Sequence, residues 1–149
     1  MPDNVAFHPK WSIDFTNFGT SGTPIRASVL NERIEFNRTE GEVVWTSESI
    51  DISGTPNAKI SIDVPDNGGT MEPSDYIRFY YSINGGAEVL FADFTDDIGF
   101  DTQATVAGLS GNSLVIIARS NTMGGGAEDY YFDNIVVRCL LYTSPSPRD

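Results

Sequence analysis

Hydrophobic and polar residues alternate with a period of two along most of this chain. The longest such run, SDYIRFYYSINGG, spans residues 74–86. In an extended strand it places Ile77, Phe79, Tyr81 and Ile83 on one side and Tyr76, Arg78, Tyr80 and Ser82 on the other. It ends in Asn84-Gly85-Gly86, residues that tolerate the positive φ of a tight hairpin turn, which predicts a return strand over 88–94. Residues 58–64 (AKISIDV) repeat the pattern, with Ile60, Ile62 and Val64 inward and Lys59, Ser61 and Asp63 outward.

The same period predicts strands at 11–15, with Trp11, Ile13 and Phe15 on one face, and at 25–30, 33–36, 42–46, 102–107, 114–119 and 130–137. A short alternation of Ile50 and Ile52 adds one more. Segments rich in Gly, Asn, Ser, Thr and Pro separate them: 17–24, 65–73, 110–112 and 122–127, with an acidic loop over 93–101. No segment holds a helical period for more than a turn or two. The predicted class is all-β, an antiparallel sandwich or barrel. Trp11 and Trp45 are both expected in the core, since Trp is highly buried on average.

Composition narrows the function. The chain has 149 residues, 40% of them hydrophobic, enough for one folded domain with a real core. Its 21 acidic residues against 9 basic give a formal charge of -12, a field that repels phosphate backbones and anionic lipid heads. Nucleic acid and membrane insertion are therefore not expected, and no run approaches the length of a membrane helix.

The last residues, 139–149, read CLLYTSPSPRD and share nothing with the strand before them. Back-translated, they resemble the mosaic end and flank of a transposase-based sequencing adapter. The expectation is a lead over 1–10, one domain over 11–138 and an adapter-derived tail, from a truncated read of a longer bacterial gene. Without Cys139, the only cysteine, the domain has no disulfide and no thiol chemistry.

The ordered words WTSESIDISG, AKISIDV, SDYIRFYYSINGG, LSGNSLVIIAR and YYFDNIVV resemble jelly-roll β-sandwich modules of secreted, Bacteroidetes-like multidomain proteins, of the carbohydrate-binding or MAM type. A weaker resemblance, through Asp75-Tyr76-Ile77 and residues 110–121, is to CUB domains, although their cysteines are missing and Asn121 stands where Asp is common. The first resemblance implies an extracellular or cell-surface binding module, with polysaccharide or surface glycan and neighbouring domains as partners. It also implies a structural calcium tying the first strand to the last, with Asp14, Asn17 and Asp133 as ligands. Thr16 stands where that site usually has a carboxylate. A self-contained alternative is Asp93, Asp96 and Asp97, perhaps joined by Asp101, since calcium takes carboxylate and carbonyl oxygens from loops.

For sugar, flat aromatic faces flanked by planar polar groups are needed. Tyr76, Arg78 and Tyr80 share one strand face at steps of about 7 Å, a spacing suited to successive saccharide units. Arg78 would brace the tyrosines or bind a carboxylated sugar. Tyr130 is a further candidate. The plainer alternative is that these tyrosines only cover a sheet. Catalysis is not expected: the single histidine, His8, sits in the lead, and Gly124-Gly125-Gly126 lacks the Lys-Ser/Thr of a phosphate loop. A structural or adhesion domain without a small ligand is the competing function.

Overall fold

The computed structural model describes residues 10–14, 16–17, 26–30, 33–54, 56–68, 71–122 and 128–139. The lead, the 123–127 glycine loop and the tail beyond 139 lie outside them. Eleven strands follow in order: β1 Trp11–Asp14, β2 Arg26–Leu30, β3 Arg33–Asn37, β4 Val43–Ser47, β5 Ile50–Asp51, β6 Ala58–Asp63, β7 Tyr76–Ile83, β8 Val89–Thr95, β9 Gln103–Leu109, β10 Ser113–Asn121 and β11 Asp129–Cys139. One sheet runs β1-β4-β10-β7-β8, with β5 also on β10, and the other runs β2-β3-β11-β6-β9. Every pairing is antiparallel. The architecture is a β-sandwich with jelly-roll topology.

The alternation in the sequence explains which side of each strand faces the other sheet. Ile60, Ile62 and Val64 are fully buried from β6 onward, as are Ile77 and Phe79 from β7, Val43 and Trp45 from β4, and Leu114, Ile116 and Ala118 from β10. Phe132 of β11 sits at the centre. Its ring is 5.3 Å from Trp45, 5.6 Å from Phe79 and 5.6 Å from Phe36, so it joins both sheets through edge-on and tilted contacts. Such aromatic pairs add about 0.5–1.5 kcal/mol each beyond the area they bury. Two residues later Asn134 takes a positive φ of 47°, where the β11–β6 register slips between Asp133 and Val136. The Phe-Asp-Asn word is thus an inter-sheet anchor followed by a bulge.

Two expectations need correction here. Trp11 is 43% exposed while Trp45 is fully buried. β1 is an edge strand, so Trp11 has a neighbour on one side only and leans on Trp45 with 6.5 Å between rings. Ser82, expected outward, is buried because its hydroxyl turns into the hairpin and donates to the Gly86 carbonyl at 2.7 Å. The turn itself is as predicted: Asn84 and Gly85 have φ of 53° and 69°, and the Gly86 amide donates to the Ile83 carbonyl. Asn84 also fixes the neighbouring loop, its Oδ1 accepting from the Asn112 and Ser113 amides.

Candidate functional site

Strand register turns the outer face of the first sheet into three ranks. Tyr80 stands opposite Leu90 on β8 and Ile117 on β10, and Ile117 in turn faces Thr46 on β4. Arg78 stands opposite Asp93 and Arg119, with Val44 and Asp14 continuing the rank. Tyr76 stands between Thr95 and Asn121. A bulge on β8 makes the first rank possible. Phe79 pairs with Ala92 but Tyr80 with Leu90, so Phe91 is left to turn inward onto Phe79 and Tyr81. Leu90 is thereby set on the outer side, 47% exposed. Ile117 also faces outward, yet it is only 5% exposed and stands apart from the core cluster, covered by side chains of the outer face itself.

A web of charge-assisted hydrogen bonds links the ranks. Arg119 donates from Nη1 to Glu42 at 2.7 Å, and from Nε and Nη2 to the two oxygens of Glu88 at 3.0 and 2.8 Å. Glu42 closes the circuit by accepting from the Tyr76 hydroxyl at 2.5 Å. Arg78 donates from Nε to Asp93 at 3.0 Å and lays its guanidinium carbon 4.0 Å from the centre of the Tyr76 ring. Arg119 stands 5.9 Å from the Tyr80 ring.

The titration of these groups follows from the web. Burial and the adjacent Glu42 push the Tyr76 phenol well above its ordinary value of 10. The bond from Arg119 holds Glu88 below its ordinary 4.5. Glu88 and Glu42 in turn keep Arg119 charged, and Asp93 does the same for Arg78. Arg78, Arg119 and Glu88 therefore stay charged, and the Tyr76 phenol neutral, through the whole physiological range.

Of the residues the sequence pointed to, Tyr76, Arg78 and Tyr80 are brought together. Tyr130 is not. It is fully buried on β11 of the other sheet, two residues before Phe132 and on the same inward side, with its hydroxyl donating to the Asp96 carbonyl at 3.0 Å. The core leaves no room for it as a sugar platform.

The acidic residues expected for calcium are otherwise engaged. Asp93 pairs with Arg78, Asp97 accepts from the Met71 amide at 2.9 Å, and Asp96 holds a positive φ of 68° at the end of β8. Asp14 accepts from the Thr16 amide and hydroxyl, bonds that hold its carboxyl below the usual range. Asp133, in the opposite sheet, accepts from the Asn134 amide at 2.7 Å. Asn17 sets its backbone oxygen against Gly41, where any Cβ would collide with it. Among the described residues no three His, Cys, Asp or Glu side chains gather as a metal-binding group.

Sequence reasoning missed Arg119, Glu42, Glu88 and Leu90. The signal was weak: Arg119 closes an outward-facing i, i+2 series on β10, and the two glutamates precede β4 and β8. A pocket of about 500 Å³ lies elsewhere, lined by Asp63, Val64, Pro65, Asp101, Thr102 and Gln103. Its polar groups bond one another, Gln103 donating to Asp63 at 2.6 Å.

No protein-family model matches the chain, and no curated protein matches its sequence. Its fold matches solved structures. TmCBM61, solved in complex with β-1,4-galactotriose, aligns with a TM-score of 0.57 over 87% of this chain and 88% of that one, at 10% identity. The adhesin domain of Lys-gingipain from Porphyromonas gingivalis W83 aligns with a TM-score of 0.54 over 92% and 95%, also at 10% identity. A CBM4 structure aligns with a TM-score of 0.52 over 86% and 85%, at 17% identity. The chain is similar in fold to carbohydrate-binding modules.

Proposed function

We propose that this chain is a non-catalytic module that holds a polysaccharide across the outer face of β4, β10, β7 and β8. The observation that carries the reading is the rank structure of that face. Tyr76 and Tyr80 stand on one strand with Arg78 between them and Arg119 beside them, and carboxylates orient Tyr76, Arg78 and Arg119. A sugar ring presents C–H groups to an aromatic face and hydroxyls at its rim. Planar guanidinium and carboxylate groups suit those hydroxyls, donating to and accepting from them. Spread over adjacent strands, the ranks suit an extended chain of residues.

The non-catalytic part rests on how the carboxylates are used. Glu42, Glu88 and Asp93 are each paired with a guanidinium, so each carboxylate is spent on an ion pair instead of standing free as a general acid or base. Secretion and attachment to other domains of a larger protein belong to the same reading.

Affinity gels containing a panel of plant and microbial polysaccharides test it. At least one polysaccharide is expected to retard the native chain, and Tyr76→Ala with Tyr80→Ala is expected to abolish retardation with little change in melting temperature. Retardation by none, or undiminished retardation of the double variant, contradicts the reading. A spacer or adhesion domain is the second reading, favoured by the equally extensive fold match to the gingipain adhesin domain. It predicts no retardation at all.

A further inference from the structure

The charge count around Arg119 carries a further step, which rests on the carbohydrate reading. Two guanidiniums, Arg78 and Arg119, lie among three carboxylates, Glu42, Glu88 and Asp93, and Asp14 continues the same rank beyond Val44. Arg119 uses Nε, Nη1 and Nη2 on Glu88 and Glu42. Arg78 gives Nε to Asp93, which leaves its two terminal nitrogens without a partner among the described residues.

We infer that this face takes uncharged glycans and excludes those bearing carboxylates or sulfates, and that Glu88 and Asp93 are the residues that set the choice. A sugar hydroxyl is both donor and acceptor. It can accept from the terminal nitrogens of Arg78 and donate to the remaining lone pairs of Glu42, Glu88 and Asp93. A uronate or sulfate group can only accept. It therefore finds no donor in Glu42, Glu88 or Asp93, and it enters a site whose net charge is already negative in a chain of charge -12. The arginines look like an anion site by residue type, but Arg119 is committed to Glu42 and Glu88, and the free terminal nitrogens of Arg78 lie beside the charge of Asp93.

The experiment compares the native chain with the paired variant Glu88→Gln and Asp93→Asn in affinity gels and calorimetry. The probes are galactan, xylan and mixed-linkage β-glucan on one side, and polygalacturonate and alginate on the other. The native chain is expected to bind a neutral probe, with affinity nearly indifferent to salt, and neither uronate. The paired variant, which keeps side-chain size and releases Arg78 from Asp93 and the Nε and Nη2 of Arg119 from Glu88 while Nη1 stays on Glu42, is expected to gain binding to polygalacturonate of at least about tenfold, lost again at high salt. Circular dichroism checks that it folds. Native binding to either uronate overturns the inference while leaving the carbohydrate reading intact. Failure of the paired variant to gain overturns the role of Glu88 and Asp93. Binding to no probe of either kind removes the carbohydrate reading, and the inference with it.

Discussion

The interior around Phe132 and the outer face around Arg119 each tie several strands together, by opposite means. Phe132 meets Trp45, Phe79 and Phe36 across both sheets through ring contacts with water excluded. Arg119 reaches Glu42 and Glu88 across one sheet through charges that remain about a third exposed. Burial makes the first expensive to disturb. Solvent screening makes the second cheap, because exposed ion pairs contribute about 0–1 kcal/mol each. The fold therefore depends on one region while the other is left available for recognition, and the two are separable by mutation.

The strongest way to break that contrast is at the centre of the sandwich. Phe132→Ala is expected to cost about 3–5 kcal/mol, because it leaves a cavity among three other rings. Urea unfolding measures it, and a cost below about 1 kcal/mol would mean that the ring cluster does not join the sheets. Next comes Gly41→Ala. Gly41 lies against the backbone oxygen of Asn17 and donates its amide to the Asn121 side chain at 3.1 Å, so an added methyl must displace the chain. About 1–3 kcal/mol is expected in the same assay.

On the outer face the balance reverses. Arg119→Ala is expected to lower stability by about 1 kcal/mol or less. It should weaken binding of whichever polysaccharide retards the native chain by about tenfold or more. Equal losses in both would erase the distinction between the regions.

A smaller effect lies in pH. Because Arg119 holds Glu88 below 4.5, the carboxylate contributes stability above that value and loses it as pH falls through the lowered one. Native stability should therefore drop more than that of Glu88→Gln between about pH 5 and pH 3. The difference should be only a fraction of the total acid effect, since Glu88 is partly exposed. The smallest expected effect is that of metal removal. With Asp14, Asp93, Asp97 and Asp133 engaged by protein donors, EDTA is expected to leave the melting temperature unchanged. A drop that added calcium restores would mean that these carboxylates hold a metal in addition to their protein donors.

The same contrast explains what was legible in the sequence. Interior positions follow a period of two, so the positions of the strands along the chain, the Asn84-Gly85 turn and the burial of Ile60, Ile62 and Phe79 could be read directly. Tyr130 was misplaced because residue type was weighed above phase: it shares the phase of Phe132, and that phase points inward. On the outer face, phase identified Tyr76, Arg78 and Tyr80, which share one strand. Arg119, Glu42 and Glu88 escaped because their partnership depends on which strands are neighbours, a tertiary fact. The pairing of Asp93 with Arg78 is hidden for the same reason, since Arg78 is fifteen residues earlier and adjacent only across the hairpin. The β8 bulge that sets Leu90 outward leaves no mark in the hydrophobic pattern.

If recognition happens on the three ranks of the first sheet, an oligosaccharide of whichever polysaccharide retards the chain should perturb those ranks alone. Titrating it into the isotope-labelled chain while following backbone and side-chain resonances is expected to give saturable shifts at Tyr76, Arg78, Tyr80, Leu90 and Arg119, with the pocket around Asp63 and Gln103 and the exposed Phe100 unaffected. Shifts confined to that pocket and loop, with the three ranks silent, would contradict recognition on that face.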